Sequence, residues 1–438
     1  MREELLAGAR SAVQIAQEAG AQGAFATTSR SRDVEFSMRD GELETVKDAT
    51  SRGLSLRLFV DGRYSSSSTN DLKPEAIRSF VTESVALTRA LAEDPHRTLA
   101  DPALYEGQSD ADLELLDPSV VALDRETRLA LCDAAQSKVA GADKMISATS
   151  GTSDGHYITA AVASNGFEGV DEGTYLWVGT EVTLQDAGDK RPQAWYWGGA
   201  CQQADAPGAD AMAAEALARA VAMLGAQKGP TSKTTMVVDP RAAGGLVGRL
   251  LAGASGRAVQ QGQSFWAGQL GTQLFSDKLT LVDDPLIPRG LGSRRFDGEG
   301  IAARALPIIE AGVASNLFLS TYYANKLGMA PTSGGSSNLV MGLGDRDLAG
   351  LIGDADSGIY VTSWLGGNAD TTTGDFSMGC RGHLIEGGKV AAPITEMNIT
   401  GNLVDLFARL EAVGNDPYPY SSLRAPTMVF ADVQFAGV

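Results

Sequence analysis

The chain opens with apolar residues at helical spacing. Leu5, Leu6, Ala9, Val13 and Ala16 share one face, and Gly20 follows, so the pattern predicts an amphipathic helix over 3–20. The period then drops to two. Val34, Phe36 and Met38 alternate with polar residues, Asp40-Gly41 supplies a hairpin turn, and Leu43-Glu-Thr-Val begins a return strand. A second alternating run, Leu54, Leu56 and Leu58, reaches another hairpin signal at Asp61-Gly62, and Ser65 to Ser68 close that strand. Pro74 and Glu75 open a helix that runs to about Ala92.

Residues 93–123 read as an irregular connector that holds His96 and several Asp and Pro. A helix follows over 124–141 with Asp124 as its N-cap. Strand patterning returns from Met145 to Cys201, with turns at Ser164-Asn-Gly and near Gly188, and an Ala-rich helix covers 209–225. Helix, strands and helix thus occur twice, in 1–95 and 120–228, which suggests an internal duplication. Lys228-Gly-Pro-Thr-Ser-Lys is the clearest linker. Beyond it lie short strands, frequent turns and many glycines, with helical pattern only near 241–253 and 402–411. The predicted class is α+β. Residues 1–228 form an N-terminal α/β domain of helices and antiparallel strands, and residues 229–438 a Gly-rich β-barrel-like domain.

The helix expected after Pro240 is unusual. Leu246, Leu250 and Leu251 supply its apolar face, while Gly244, Gly245, Gly248 and Gly253 remove bulk. Each glycine costs about 1 kcal/mol relative to Ala in a helix. Close packing by a neighbour is the expected compensation.

Charge and composition narrow the ligand classes. The formal net charge of −18 opposes a nucleic-acid partner, because such binding draws on clustered Lys and Arg. Three dispersed cysteines, Cys132, Cys201 and Cys380, suggest no disulfide framework. The N-terminus has no signal-peptide apolar core, and no apolar run is long enough to span a membrane. The cytoplasm is the expected compartment.

Familiar catalytic patterns are incomplete. No two of the three histidines share the i, i+4 spacing of a helical metal site. Cys380-Arg-Gly-His383 looks like half of a zinc site without a second half, and reads better as strand positions. Asp154 and His156 near Ser150 and Ser153 lie too close together in sequence for a triad. Ser65–Thr69 has no base nearby. Asp354-Ala-Asp-Ser-Gly358 would need an acid where Leu365 stands to be a calcium loop. Glu386-Gly-Gly-Lys389 is a hairpin turn and no P-loop, since Val390 follows. More distinctive are three Gly-dense segments: Pro285–Gly300, Ser320–Gly335 and Gly374–Gly379. They can be ligand-facing loops, presenting backbone to an extended peptide, or barrel corners. The residues alone leave both readings open.

Those segments, together with Asp283-Asp-Pro, Phe296-Asp-Gly-Glu-Gly and Ile399-Thr-Gly-Asn402, resemble the TldD/PmbA family, named for modulation of DNA gyrase and for peptide-antibiotic maturation. The likeness runs from the first helix to near residue 435 and is strongest after 235. It implies an N-terminal α/β domain, a C-terminal barrel-like domain, and a cytoplasmic TldD–TldE heterodimer that acts as a zinc metalloprotease on unfolded or peptide substrates. In the TldD branch a helical His-Glu-x-x-x-His and a later Cys hold zinc, and the Glu activates water. In this chain the motif falls on Gly244, Gly245, Leu246, Val247, Gly248 and Arg249, and the Cys position on Gly379, one residue before Cys380. The resemblance is therefore to the PmbA/TldE branch, which lacks the zinc motif. It implies no catalytic or metal-binding residue here, no cofactor in this chain, and zinc in a TldD-type partner. Arg249 reads as a solvated helix residue, or as a cation in the vacated metal space. Arg289, Tyr322, Ser333, Gly334, Gly335 and Asn338 are the expected substrate-cavity residues. Expected partners are the TldD-type homologue and a peptide or unfolded polypeptide, with a homodimer possible in isolation.

Overall fold

A computed structural model describes residues 1–438. The N-terminal region contains α1 (Arg2–Glu18), β1 (Gly23–Arg39), β2 (Glu42–Val60), β3 (Arg63–Thr69) and α2 (Pro74–Thr88). It continues with α3 (Pro118–Val121), α4 (Arg125–Val139), β4 (Met145–Ala163), β5 (Glu168–Leu184), β6 (Gln193–Ala200) and α5 (Ala209–Ala222). These strands make one sheet in the order β3-β2-β1-β4-β5-β6, antiparallel throughout. The two runs expected between Leu43 and Leu58 are a single 19-residue strand, β2. α1 and α2 bury Ala9, Val13, Val81 and Val85 against Leu54, Leu56 and Leu58. α4 and α5 bury Ala135, Val139, Ala213 and Ala216 against Val178 and Val182.

The C-terminal region contains β7 (Gln227–Lys228), β8 (Ser232–Val238), α6 (Pro240–Ala252), α7 (Gly256–Gln260), β9 (Leu281–Asp283), β10 (Leu306–Glu310) and β11 (Val313–Ala314). It continues with α8 (Thr321–Leu327), β12 (Leu339–Met341), α9 (Leu348–Asp354), β13 (Ser357–Ala369), β14 (Asp375–Glu386) and β15 (Lys389–Asn402). α10 (Leu403–Ala408), β16 (Leu410–Val413), β17 (Leu423–Arg424) and β18 (Met428–Ala436) complete it. β18 pairs with β8 on one side and β15 on the other, so β18-β8-β13-β14-β15 closes into a five-stranded barrel. Closure pairs the two outermost barrel strands with each other. Its core gathers 39 buried residues, among them Met236, Val361, Met378, Ile399, Phe407 and Phe430. α6 contributes Leu246, Val247, Leu250 and Leu251 to the same core.

Short helices escaped the sequence pattern, α7, α8 and α9 among them. Each of these is only five to seven residues long, too short to display a 3.6-residue period. The segment expected as a linker is tied to the barrel. Gln227 and Lys228 pair in parallel with Ile394 and Thr395, and Val438 N donates to Gly229 O at 3.0 Å.

Candidate functional site

Asp239 sets the start of α6. It is almost wholly buried; its Oδ1 accepts from Arg241 N at 2.9 Å, and its Oδ2 accepts from the Tyr360 hydroxyl at 2.5 Å and Arg219 at 3.1 Å. Pro240 fills the first helical position, where a missing N–H costs nothing. The apolar face then turns into the barrel, which leaves Gly245 and Gly248 exposed and Gly244 and Arg249 half-buried.

The glycines of α6 do not act alike. A Cβ at Gly253 would fall inside the van der Waals envelope of the Trp266 indole, and Trp266 is buried. A Cβ at Gly248 would meet nothing within 4 Å, and one at Gly244 would come no nearer than 3.7 Å to Leu423. Gly245 is intermediate, at 3.3 Å from Trp364. Close packing therefore explains Gly253 and corrects the expectation for Gly244 and Gly248. The expected result is that Gly248→Ala stabilises the chain by about 0.5–1 kcal/mol. Gly253→Ala destabilises it by about 1–3 kcal/mol. Denaturant midpoints measured side by side check both.

Gly244, Gly245 and Arg249 are the positions expected to take the zinc motif. Arg249 Nη1 donates to Gly245 O at 2.7 Å, one turn back along its own helix. On β14, Phe376, Met378 and Cys380 point into the barrel, and Gly379 faces outward. Cys380 is buried in the core, and that burial pushes its thiol pKa up to about 12. Nowhere in the structure do three His, Cys, Asp or Glu side chains converge as metal ligands would. Two glycines and an arginine offer zinc no side-chain lone pair, so these residues do not fit the ion.

What this face offers is backbone. The first part of β13, Gly358–Val361, pairs with β8, but Ser363–Ala369 pairs with β14 alone. Its other side is an unpaired strand edge beside α6, with Trp364 Nε1 donating to Ala242 O at 2.9 Å and Leu365 exposed. Gly366 and Gly367 both take φ 121°, a conformation costly to side-chain-bearing residues.

The expected cavity residues scatter. Ser333 lines a cavity of about 240 Å³ with Asp283, Arg294 and Asp297. Arg294 Nη2 donates to Ser333 Oγ at 3.0 Å and to Gly335 O at 2.6 Å, so Gly335 supports that wall, while Gly334 is exposed beside it. Asn338 is fully buried and holds Asp284 O, Ser293 Oγ and Gly292 N, which makes it a structural brace. Arg289, with φ 57°, bridges to Glu114 and Asp205 across the two regions. Tyr322 lies in the first turn of α8 with its ring under Arg97, at 3.4 Å.

Sequence reasoning did not assign Asp283, Arg294 or Asp297, although Asp283-Asp-Pro and Phe296-Asp-Gly-Glu-Gly contain two of them. Burial raises the Asp283 carboxyl pKa, opposed by hydrogen bonds from Ser337. Asp297 Oδ1 accepts from Glu299 N and Ile301 N, while its Oδ2 and Arg294 Nε are buried without partners. The cavity can thus accept one hydrogen bond and donate another to a small polar guest.

The sequence matches the PmbA/TldA metallopeptidase C-terminal domain over residues 231–437, domain 1 over 28–88 and the central domain over 118–224. It is 29% identical over 421 residues to the metalloprotease PmbA of Escherichia coli O157:H7, covering 95% of this chain and 92% of that one. The crystal structure of a Bacteroides thetaiotaomicron protein, described as a candidate modulator of DNA gyrase, superposes with a TM-score of 0.96. That pair is 38% identical, over 99% of this chain and 98% of the other. TldE from Thermococcus kodakarensis shares the fold, with a TM-score of 0.88 at 18% identity over 98% of this chain and all of that one. With matches along most of its length and this barrel in common, the chain belongs to the PmbA/TldD metallopeptidase family.

Proposed function

We propose that this chain is the non-metal-binding subunit of a TldD/TldE-type cytoplasmic metalloprotease complex. It completes the cavity for an unfolded polypeptide or peptide precursor, and a TldD-type homologue carries the zinc and cuts the bond. One observation carries this reading. Where the zinc motif aligns, α6 presents Gly244, Gly245 and Arg249, beside an open strand edge at Ser363–Ala369. An extended peptide can add to such an edge through main-chain hydrogen bonds, and small residues nearby leave room for its side chains. Residues 1–228 and 229–438 serve as the two domains of this subunit.

The purified chain is expected to hold no stoichiometric zinc and to cleave no peptide, with cleavage appearing on mixing with a zinc-bearing homologue at one-to-one stoichiometry. Metal analysis and a fluorogenic peptide assay before and after mixing check this. One tight zinc per chain, or cleavage by the chain alone, would sink the proposal. Peptide binding with no gain of activity on mixing would point instead to a peptide-holding modulator without a protease role.

A further inference from the structure

A second cavity, of about 220 Å³, lies where α5 and β6 meet the start of α6 and the outer face of β13 and β14. Three arginines line it, in a chain whose net charge is −18. Arg219 is committed to Glu215 at 2.7 Å and Asp239 at 3.1 Å. Arg241 has no carboxylate of its own; it lies over the Trp195 ring at 4.0 Å and donates to Trp195 O at 2.6 Å. Arg381 has neither an ion-pair partner nor a side-chain hydrogen bond, although it is partly buried and desolvation lowers its pKa. Partly buried guanidiniums left unpaired cost free energy, and such sites are commonly completed by an anion. Three guanidiniums against two carboxylates leave one positive charge. That matches a monoanion better than a dianion.

His383, 7% exposed, also lines the pocket. Its Nε2 lies 3.0 Å from Ala222 O, an atom that can only accept, so Nε2 carries the proton. Nδ1 is then a buried lone pair, and it has no partner. Burial also disfavours the charged ring, which keeps that lone pair available. The pocket therefore asks for a carboxylate and for an N–H donor close to it. A free carboxylate such as acetate supplies the first alone, and a phosphate supplies no N–H. The C-terminal residue of a peptide supplies both.

We propose that this pocket is a receptor for a peptide chain end, with Arg381 and Arg241 taking the terminal carboxylate and His383 Nδ1 accepting the last peptide N–H. The assignment rests on the peptide-handling reading above and adds to it a preference for free C-termini. Arg381 lies two residues beyond Gly379 on β14, and Arg241 opens the same helix that carries Gly244 and Gly245, so the pocket borders the face described above.

The test is calorimetric titration of the full-length chain with N-acetyl-trialanine, its C-terminal amide, and acetate, in the parent protein and in Arg381→Gln and Arg381→Lys. The free acid should bind at least tenfold more tightly than the amide. Arg381→Gln should abolish that preference while the melting temperature holds or rises, because an unpaired, partly buried charge has been removed. Arg381→Lys, which keeps the charge but loses the fork, should retain part of the preference. Equal binding of acid and amide overturns the chain-end pocket and leaves peptide docking at the strand edge intact. Acetate binding with neither peptide bound overturns both the chain-end assignment and the peptide reading. A folded Arg381→Gln protein that keeps the full preference also refutes the assignment.

Discussion

Asp154→Ala is expected to lower stability by about 3–5 kcal/mol, the scale of breaking a buried ion pair from one side. Asp154 on β4 and Arg128 on α4 are 2% and 3% exposed, and they meet through two parallel hydrogen bonds of 2.7 Å. Arg128 Nη1 also donates to Leu123 O at 2.8 Å, which ties the start of α4 to the chain before it. Removing the carboxylate strands a buried guanidinium without its partner. The cost is the desolvation of that orphan and exceeds the net contribution of the pair. The double variant Arg128→Met/Asp154→Leu should therefore recover most of the loss, since neither charge then remains. Denaturant unfolding of the three proteins measures it. A single-variant loss below about 1 kcal/mol, the range of an exposed pair, would contradict this account.

The second large effect is in the barrel. Phe407 on α10 is fully buried, with its ring 5.4 Å from Phe430 and 6.4 Å from Phe275. Phe407→Ala is expected to cost about 3–5 kcal/mol, from lost transfer energy plus the cavity left behind. Three elements share that contact, α10, β18 and the segment before β9, so collapse around the void is restricted. Phe407→Leu should cost less than half as much, because much of the volume stays filled. Thermal unfolding of both variants reads the difference. Equal losses would mean that ring geometry matters more than volume.

Legibility in the sequence follows the range of each signal. The long hairpins were legible because Asp40-Gly41 and Asp61-Gly62 supply positive-φ turns between alternating runs, and all four residues do take positive φ. The Asp124 cap was legible for the same local reason, and its side chain accepts from Thr127 N at 2.8 Å. The candidate site was harder. Arg289 stands in a Gly-dense segment and Asn338 just beyond one, and both look like loop residues, yet one bridges distant carboxylates and the other braces buried backbone. Their partners lie tens to hundreds of residues away, beyond the reach of any window.

Sequence alone specified the local alphabet: which stretches repeat at 3.6 or 2, where caps and turns fall, and that α6 carries several glycines and an arginine. Periodicity and turn chemistry act over a few residues, so they survive in one dimension. What those residues face was set by tertiary packing. It closed β18 onto β15, turned Cys380 into the core and Gly379 outward, left Ser363–Ala369 with an open edge, and brought Arg219, Arg241 and Arg381 to one pocket. Each outcome depends on register and on contacts between distant segments. A one-residue slip in β14 would exchange Cys380 for Gly379 on the two faces, and no local rule prices that slip.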